Sequence, residues 1–196
     1  MTRKFVVSLV ASVVLGFAAN AHSAERVRIR GTIETVGSDS LNVKSRDGQD
    51  VAVKLKPGWT VTGVVPAAVA DIKPGDFVGI ASQQTGSGVA GAIEVVIFPA
   101  SMKGTGEGDR PWDLKPNSSM TNATVSNVVK SVNGPTLTLT FQGKEKTINI
   151  PDGTPIVTFA PATKDDVKPG AGVFVMGDPA GAERVVVGLK GIAPPM

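Results

Sequence analysis

Val61-Thr62-Gly63-Val64-Val65-Pro66-Ala67 and Ile156-Val157-Thr158-Phe159-Ala160-Pro161-Ala162 are the stretches on which the reading of this sequence turns. They stand 95 residues apart, and at that same offset Asp71-Ile72-Lys73-Pro74-Gly75 meets Asp166-Val167-Lys168-Pro169-Gly170. Upstream, Gly48 meets Gly143, Val53 meets Ile148 and Leu55 meets Ile150. Downstream, after a shortening of five residues, Ala90-Gly91-Ala92 meets Ala180-Gly181-Ala182 and Val95-Val96-Ile97 meets Val185-Val186-Val187. Ordered matches over so many segments predict an internal repeat.

Each copy reads as β. From residue 25 onward, 34 valines and isoleucines stand against 6 leucines, a balance that favours strands. Val27, Ile29 and Ile33 alternate with Arg28, Arg30, Thr32 and Glu34, and Leu137, Leu139 and Phe141 alternate with Thr136, Thr138 and Thr140. That is the period of a half-buried strand. Asp47-Gly48, Asn133-Gly134-Pro135, Gln142-Gly143 and Asp152-Gly153 supply turn chemistry between the runs. Lys-Pro-Gly at 73–75 and 168–170 fits a type II turn, with proline setting φ and glycine accepting a positive φ. Short strands with turns at this spacing predict small closed barrels, one in residues 25–99 and one in 122–196. Residues 100–121, rich in glycine and proline, are expected to be a linker loop.

Residues 1–24 read as a cleaved signal helix. Arg3 and Lys4 precede the uncharged run Phe5 to Ala19, which is 15 residues long. A bilayer-spanning helix needs about 20, so the run suits a signal core, with cleavage after Ala21 or Ala24. Export to the periplasm follows, with no stable membrane span in the mature chain. Cleavage leaves 18 basic and 17 acidic residues, too even a balance for a nucleic-acid partner. With no cysteine and a single histidine, His22, the chain has no disulfide framework, thiolate zinc site or multi-histidine metal site, and cleavage after Ala24 would remove the one histidine a Ser-His-Asp triad needs. No cofactor and no metal are expected.

The run from Arg30 to Ser82, RGTIETVGSDSLNVKSRDGQDVAVKLKPGWTV…ADIKPGDFVGIAS, resembles bacterial exported domains of unknown function that form small OB-like β-barrels. The linker GTGEGDRPWDL…SSMTNATV, with the VTFAPA and VKPG segments, resembles an uncharacterised proteobacterial periplasmic family. The resemblance implies two tandem OB-like barrels and supplies no catalytic residues. A metal-transporter permease label sometimes attached to that family does not suit a chain with one long apolar run.

Two places stand out as candidate sites. In the linker, Glu107, Asp109 and Asp113 could present carboxylates around Arg110 and Trp112. Carboxylate oxygens suit hard cations or, in pairs, glycoside hydrolysis. Arg110 competes for them, and the spacing is not that of a calcium loop. Gly-Thr-Gly-Glu-Gly at 104–108 lacks the lysine and the helix of a phosphate cradle. The other place is the strand face of Arg28 and Arg30, with Lys54 and Trp59 nearby, which could take an anionic ligand such as an oligosaccharide or nucleic acid. These features predict a non-enzymatic periplasmic binding or envelope-associated accessory protein, whose partner is an envelope protein or a small ligand. The alternative is a metal-binding factor or small hydrolase built on the carboxylates of loop 104–113.

Overall fold

The period-two runs become strands. In the computed structural model, which describes residues 26–86, 88–131 and 134–195, twelve strands and three single-turn 3-10 segments follow one another, with no α-helix among those residues. The expected signal helix, residues 1–24, lies outside the described residues.

Val27–Val36 (β1), Ser40–Ser45 (β2) and Asp50–Pro66 (β3) form an antiparallel meander. Its remaining partners come from the far end of the chain. Gly172–Asp178 (β11) pairs antiparallel with β1, and Gly181–Gly188 (β12) pairs antiparallel with β11 and parallel with β3. The order β1-β2-β3-β12-β11 returns to β1 and closes a five-stranded barrel. Ile33, Leu41, Val43, Val173 and Val185 fill it.

A second cycle of pairings joins Phe77–Gln83 (β4), Ala90–Ile97 (β5), Ser118–Val129 (β7), Thr136–Phe141 (β8) and Lys144–Asn149 (β9). Its contacts are antiparallel except β5 with β9, where only Ala90 with Ile148 and Gly91 with Asn149 are in register. Val78, Ile80, Leu137, Leu139 and Ile148 fill this ring. The strand Ile156–Ala160 (β10) bridges the two cycles, antiparallel to β3 and parallel to β5.

The tandem arrangement expected from the sequence is not the observed pairing. The hairpin β4–β5 comes from residues 25–99 but completes the second ring, and β11–β12 comes from residues 122–196 but completes the barrel. Neither stretch closes a ring from its own strands. The segments leading into these hairpins cross over as well. Ile72, after the 3-10 turn Val69–Asp71, is buried in the second ring's core, while Val167, after Lys164–Asp166, is buried in the barrel's core. Both Lys-Pro-Gly turns form as read: Gly75 and Gly170 have φ of 96° and 85°, and Asp76 and Ala171 donate back to Lys73 and Lys168.

Residues 100–121 are not an open loop. Gly108–Trp112 (β6) pairs antiparallel with residues 118–122 of β7. The reason is an exposed edge. On its other side this half of β7 pairs β4, whereas β8 joins β7 only from Thr124 onward. Without β6 the backbone of 118–122 would lack partners along one side.

Candidate binding site

The site grows from the outer face of β1. Strand alternation turns Ile29 toward the barrel core, which it packs against, so Arg28 and Arg30 share the opposite face with Arg26. The β6–β7 hairpin lies over that face. Arg28 sits 4.4 Å from the centre of the Trp112 ring, with Arg30 at 5.6 Å and Arg110 at 5.8 Å. Arg30 is also 4.9 Å from the Phe174 ring. Guanidiniums over aromatic faces gain cation–π attraction, and more of it where water is excluded.

Asp113, directly after Trp112, accepts both arms of Arg30 at 2.8 and 3.3 Å and lies 3.6 Å from Arg28. Desolvation pushes its carboxyl up, but the hydrogen bond from Arg30 and the charges of Arg30 and Arg28 outweigh this and hold it below the usual range. The two sequence candidates therefore meet: Arg28 and Arg30 of the strand face join Arg110, Trp112 and Asp113 of the linker.

The other candidates lie apart. Glu107 accepts from the backbone N–H of Gln142 at 3.0 Å. Asp109 accepts from Thr121 Oγ1 at 2.7 Å and Lys146 Nζ at 2.9 Å. Burial pushes Asp109 up, yet these donors hold it below its ordinary pKa. The three linker carboxylates are thus each taken by a different partner, and among the described residues no three histidine or carboxylate side chains gather as a metal-ligating group. Lys54 is exposed on β3, in a shallow groove beside Asp178 and Pro179. Trp59 packs on the barrel core with Lys164 Nζ 4.6 Å from its ring centre.

Sequence reasoning missed two parts of this junction. Glu94, on β5, is only 2% exposed, and its Oε1 has no hydrogen-bond partner among the described residues. Burial pushes its carboxyl up to about 8, against the lowering pull of Arg30 and Arg46. A single carboxylate inside Ala92-Ile93-Glu94-Val95-Val96 was the available signal. Glu94 lines neither the cleft beside Trp112 nor the groove beside Asp113.

The second missed feature is a cleft of about 200 Å³ between the barrel and the second ring. Phe98 and Phe159 meet at a tilt, their ring centres 5.3 Å apart, and form its floor with Trp112 and Phe174. Met102, Met120 and Met176 also line it. These residues come from separate segments, so no local motif announces them. A larger groove, about 480 Å³, lies on the other side of Asp113 between Arg28, Arg30 and Arg46 and includes Asp47. Compared with family models, with curated proteins and with solved structures, the chain finds no match.

Proposed function

We propose that the protein is a non-enzymatic binding module whose ligand sits in the cleft between the barrel and the second ring. The observation that carries this reading is the convergence of Phe98, Trp112, Phe159 and Phe174 with three methionines on one concave surface. Concave, mostly apolar surfaces with a few polar groups are the usual form of small-ligand sites. Methionine is flexible and polarizable, and so suits a wall that adapts to its ligand. The carboxylates required by a metal-binding factor or hydrolase are dispersed and already hydrogen-bonded, which favours binding over catalysis.

The same proposal takes both rings as OB-like barrels, a form that recurs in binding proteins, made from two copies of one unit that have exchanged their last hairpins. The 95-residue offset supports it. Gly48 and Gly143, Gly58 and Gly153, and Gly75 and Gly170 all have positive φ. The spans of β4 and β11 match at that offset, as do the two 3-10 turns. Asp71 and Asp166 each accept the backbone N–H three residues earlier at 2.8 Å. Residues 1–24, read as a signal, would send the protein to the periplasm, as a member of the uncharacterised periplasmic family it resembles.

The methionines provide the test. Of the five in the chain, the three that are not terminal residues all line the cleft. With methyl-labelled methionine, a small-molecule library should shift the Met102, Met120 and Met176 signals together and saturably. Compounds that bind elsewhere and leave all three unmoved would overturn the reading. Fractionation should find the protein in the soluble periplasm, beginning at His22 or Glu25, and full-length chain in the inner membrane would refute export.

A further inference from the structure

Charge at the rim of the cleft narrows the ligand. Arg26, Arg110 and Arg184 line the cleft, and no aspartate or glutamate does. Among the described residues Arg26 and Arg184 make no ion pair, and Arg110 donates only to the Gly106 carbonyl, at 2.8 Å. The larger groove differs, because Asp113 and Asp47 stand there among its arginines and Asp113 already pairs Arg28 and Arg30. Unanswered positive charge therefore collects at the smaller, apolar cleft.

The guanidiniums also act on one another. Burial lowers the pKa of Arg110, and the charges of Arg28 and Arg26 lower it further, against the opposing pull of Asp109. Like charges held together near an apolar floor repel, and an anion placed among them relieves the repulsion. The Trp112 ring lines the same cleft, and its buried Nε1 donor has no acceptor among the described residues.

We infer that the cleft takes a small amphipathic anion: an apolar body on the Phe98–Phe159 floor and one carboxylate or sulfonate among Arg26, Arg110 and Arg184. This rests on the reading of the cleft as a binding site. At about 200 Å³ the cleft is smaller than the roughly 300–1,000 Å³ of sites for drug-sized ligands, which points to a short chain or a single ring system. The three thioethers would suit a soft metal cation, but the three guanidiniums at the rim repel one.

The test compares three probes of equal apolar length, octanoate, 1-octanol and octyltrimethylammonium, followed by methionine-methyl shifts and by calorimetry. Octanoate should bind saturably, at least about tenfold tighter than octanol, with the cation weakest. R110A and R184A should each lower octanoate affinity about tenfold and leave octanol unchanged. If octanol shifts the methyl signals as strongly as octanoate, or octanoate affinity survives both substitutions, the anionic class is wrong while the site stands. If no probe moves Met102, Met120 or Met176, the site itself fails. A methyl spectrum of each variant without ligand, matching the parent, keeps the comparison free of misfolding.

Discussion

The barrel and the second ring are wound alike but closed differently. In the barrel, β3 runs unbroken over 17 residues, and β12 pairs with it at six register positions. In the second ring the matching stretch is broken between β9 and β10 by residues 150–155, so β5 meets it in two short runs, two register pairs on β9 and three on β10. Proline accounts for the difference. Pro151 and Pro155 lie within the gap, each lacking the N–H that a continuing ladder needs. Over residues 55–60 of β3, which match the gap, the one proline is Pro57, and it is followed by Gly58, whose positive φ lets the strand bulge and continue. The extra proline thus splits into two runs a seam that β3 makes continuously.

The largest expected effect tests the exchange itself. Truncation after Met120 removes β11 and β12 from the barrel and β8, β9 and most of β7 from the second ring. The remaining chain should show no cooperative melting transition and no dispersed amide spectrum. A fragment that folds would mean that β4–β5 can return to its own half of the sequence.

Next come paired core truncations, Leu41→Ala in the barrel and Leu139→Ala in the second ring, each at a fully buried position. Each should lower stability by about 2–5 kcal/mol. Because each ring borrows a hairpin from the other's half, both variants should melt in one transition. Two separated transitions in calorimetry would make the rings independent bodies.

Glu94 sharpens the comparison where the two bodies meet. Its carboxyl, at about 8, keeps its proton in the folded state over a range where the unfolded chain has already released it. Stability should therefore fall as pH rises from roughly 4.5 to about 8 and level off above that. Glu94→Gln should remove this slope and be more stable at pH 8 by roughly 1–4 kcal/mol. Chemical denaturation across that range reads it directly, and an unchanged slope would show that Glu94 is not the group responsible.

The smallest effect is one of rate. Amides at the two-pair seam, Ile148 and Asn149, should exchange with deuterium faster than Val185 to Val187 on β12. Equal protection would mean that β10 compensates fully for the short seam.

Much of the fold was legible from local chemistry. Alternation placed the strands, and the paired Lys-Pro-Gly turns gave the turn geometry. The crossing of the two hairpins was not legible, because β4–β5 and β11–β12 each offer edges that strands of either half could take, and no local pattern says which partner a strand will choose. β6 was hidden for another reason: glycines and Pro111 weaken its strand signal, and only the uncovered edge of β7 calls for it. The candidate site was half legible. Its arginines and Trp112 carry chemistry that a sequence displays, whereas Phe98, Phe159 and the methionines look like ordinary apolar residues until the rings bring them together.

The far-reaching pairing of β1 has a consequence for how the molecule comes into being. Arg28 lies opposite Met176, so the second residue of the first strand waits for most of the chain to exist. A polypeptide released N-terminus first cannot seal the second ring before Asn149 or the barrel before Gly188. Until then β1 and β3 present open sheet edges, the surfaces on which chains stick to their neighbours. Contacts so distant in sequence also slow the search for the native state. The last hairpin is therefore a clasp, and a chain halted anywhere short of it remains an open, adhesive sheet.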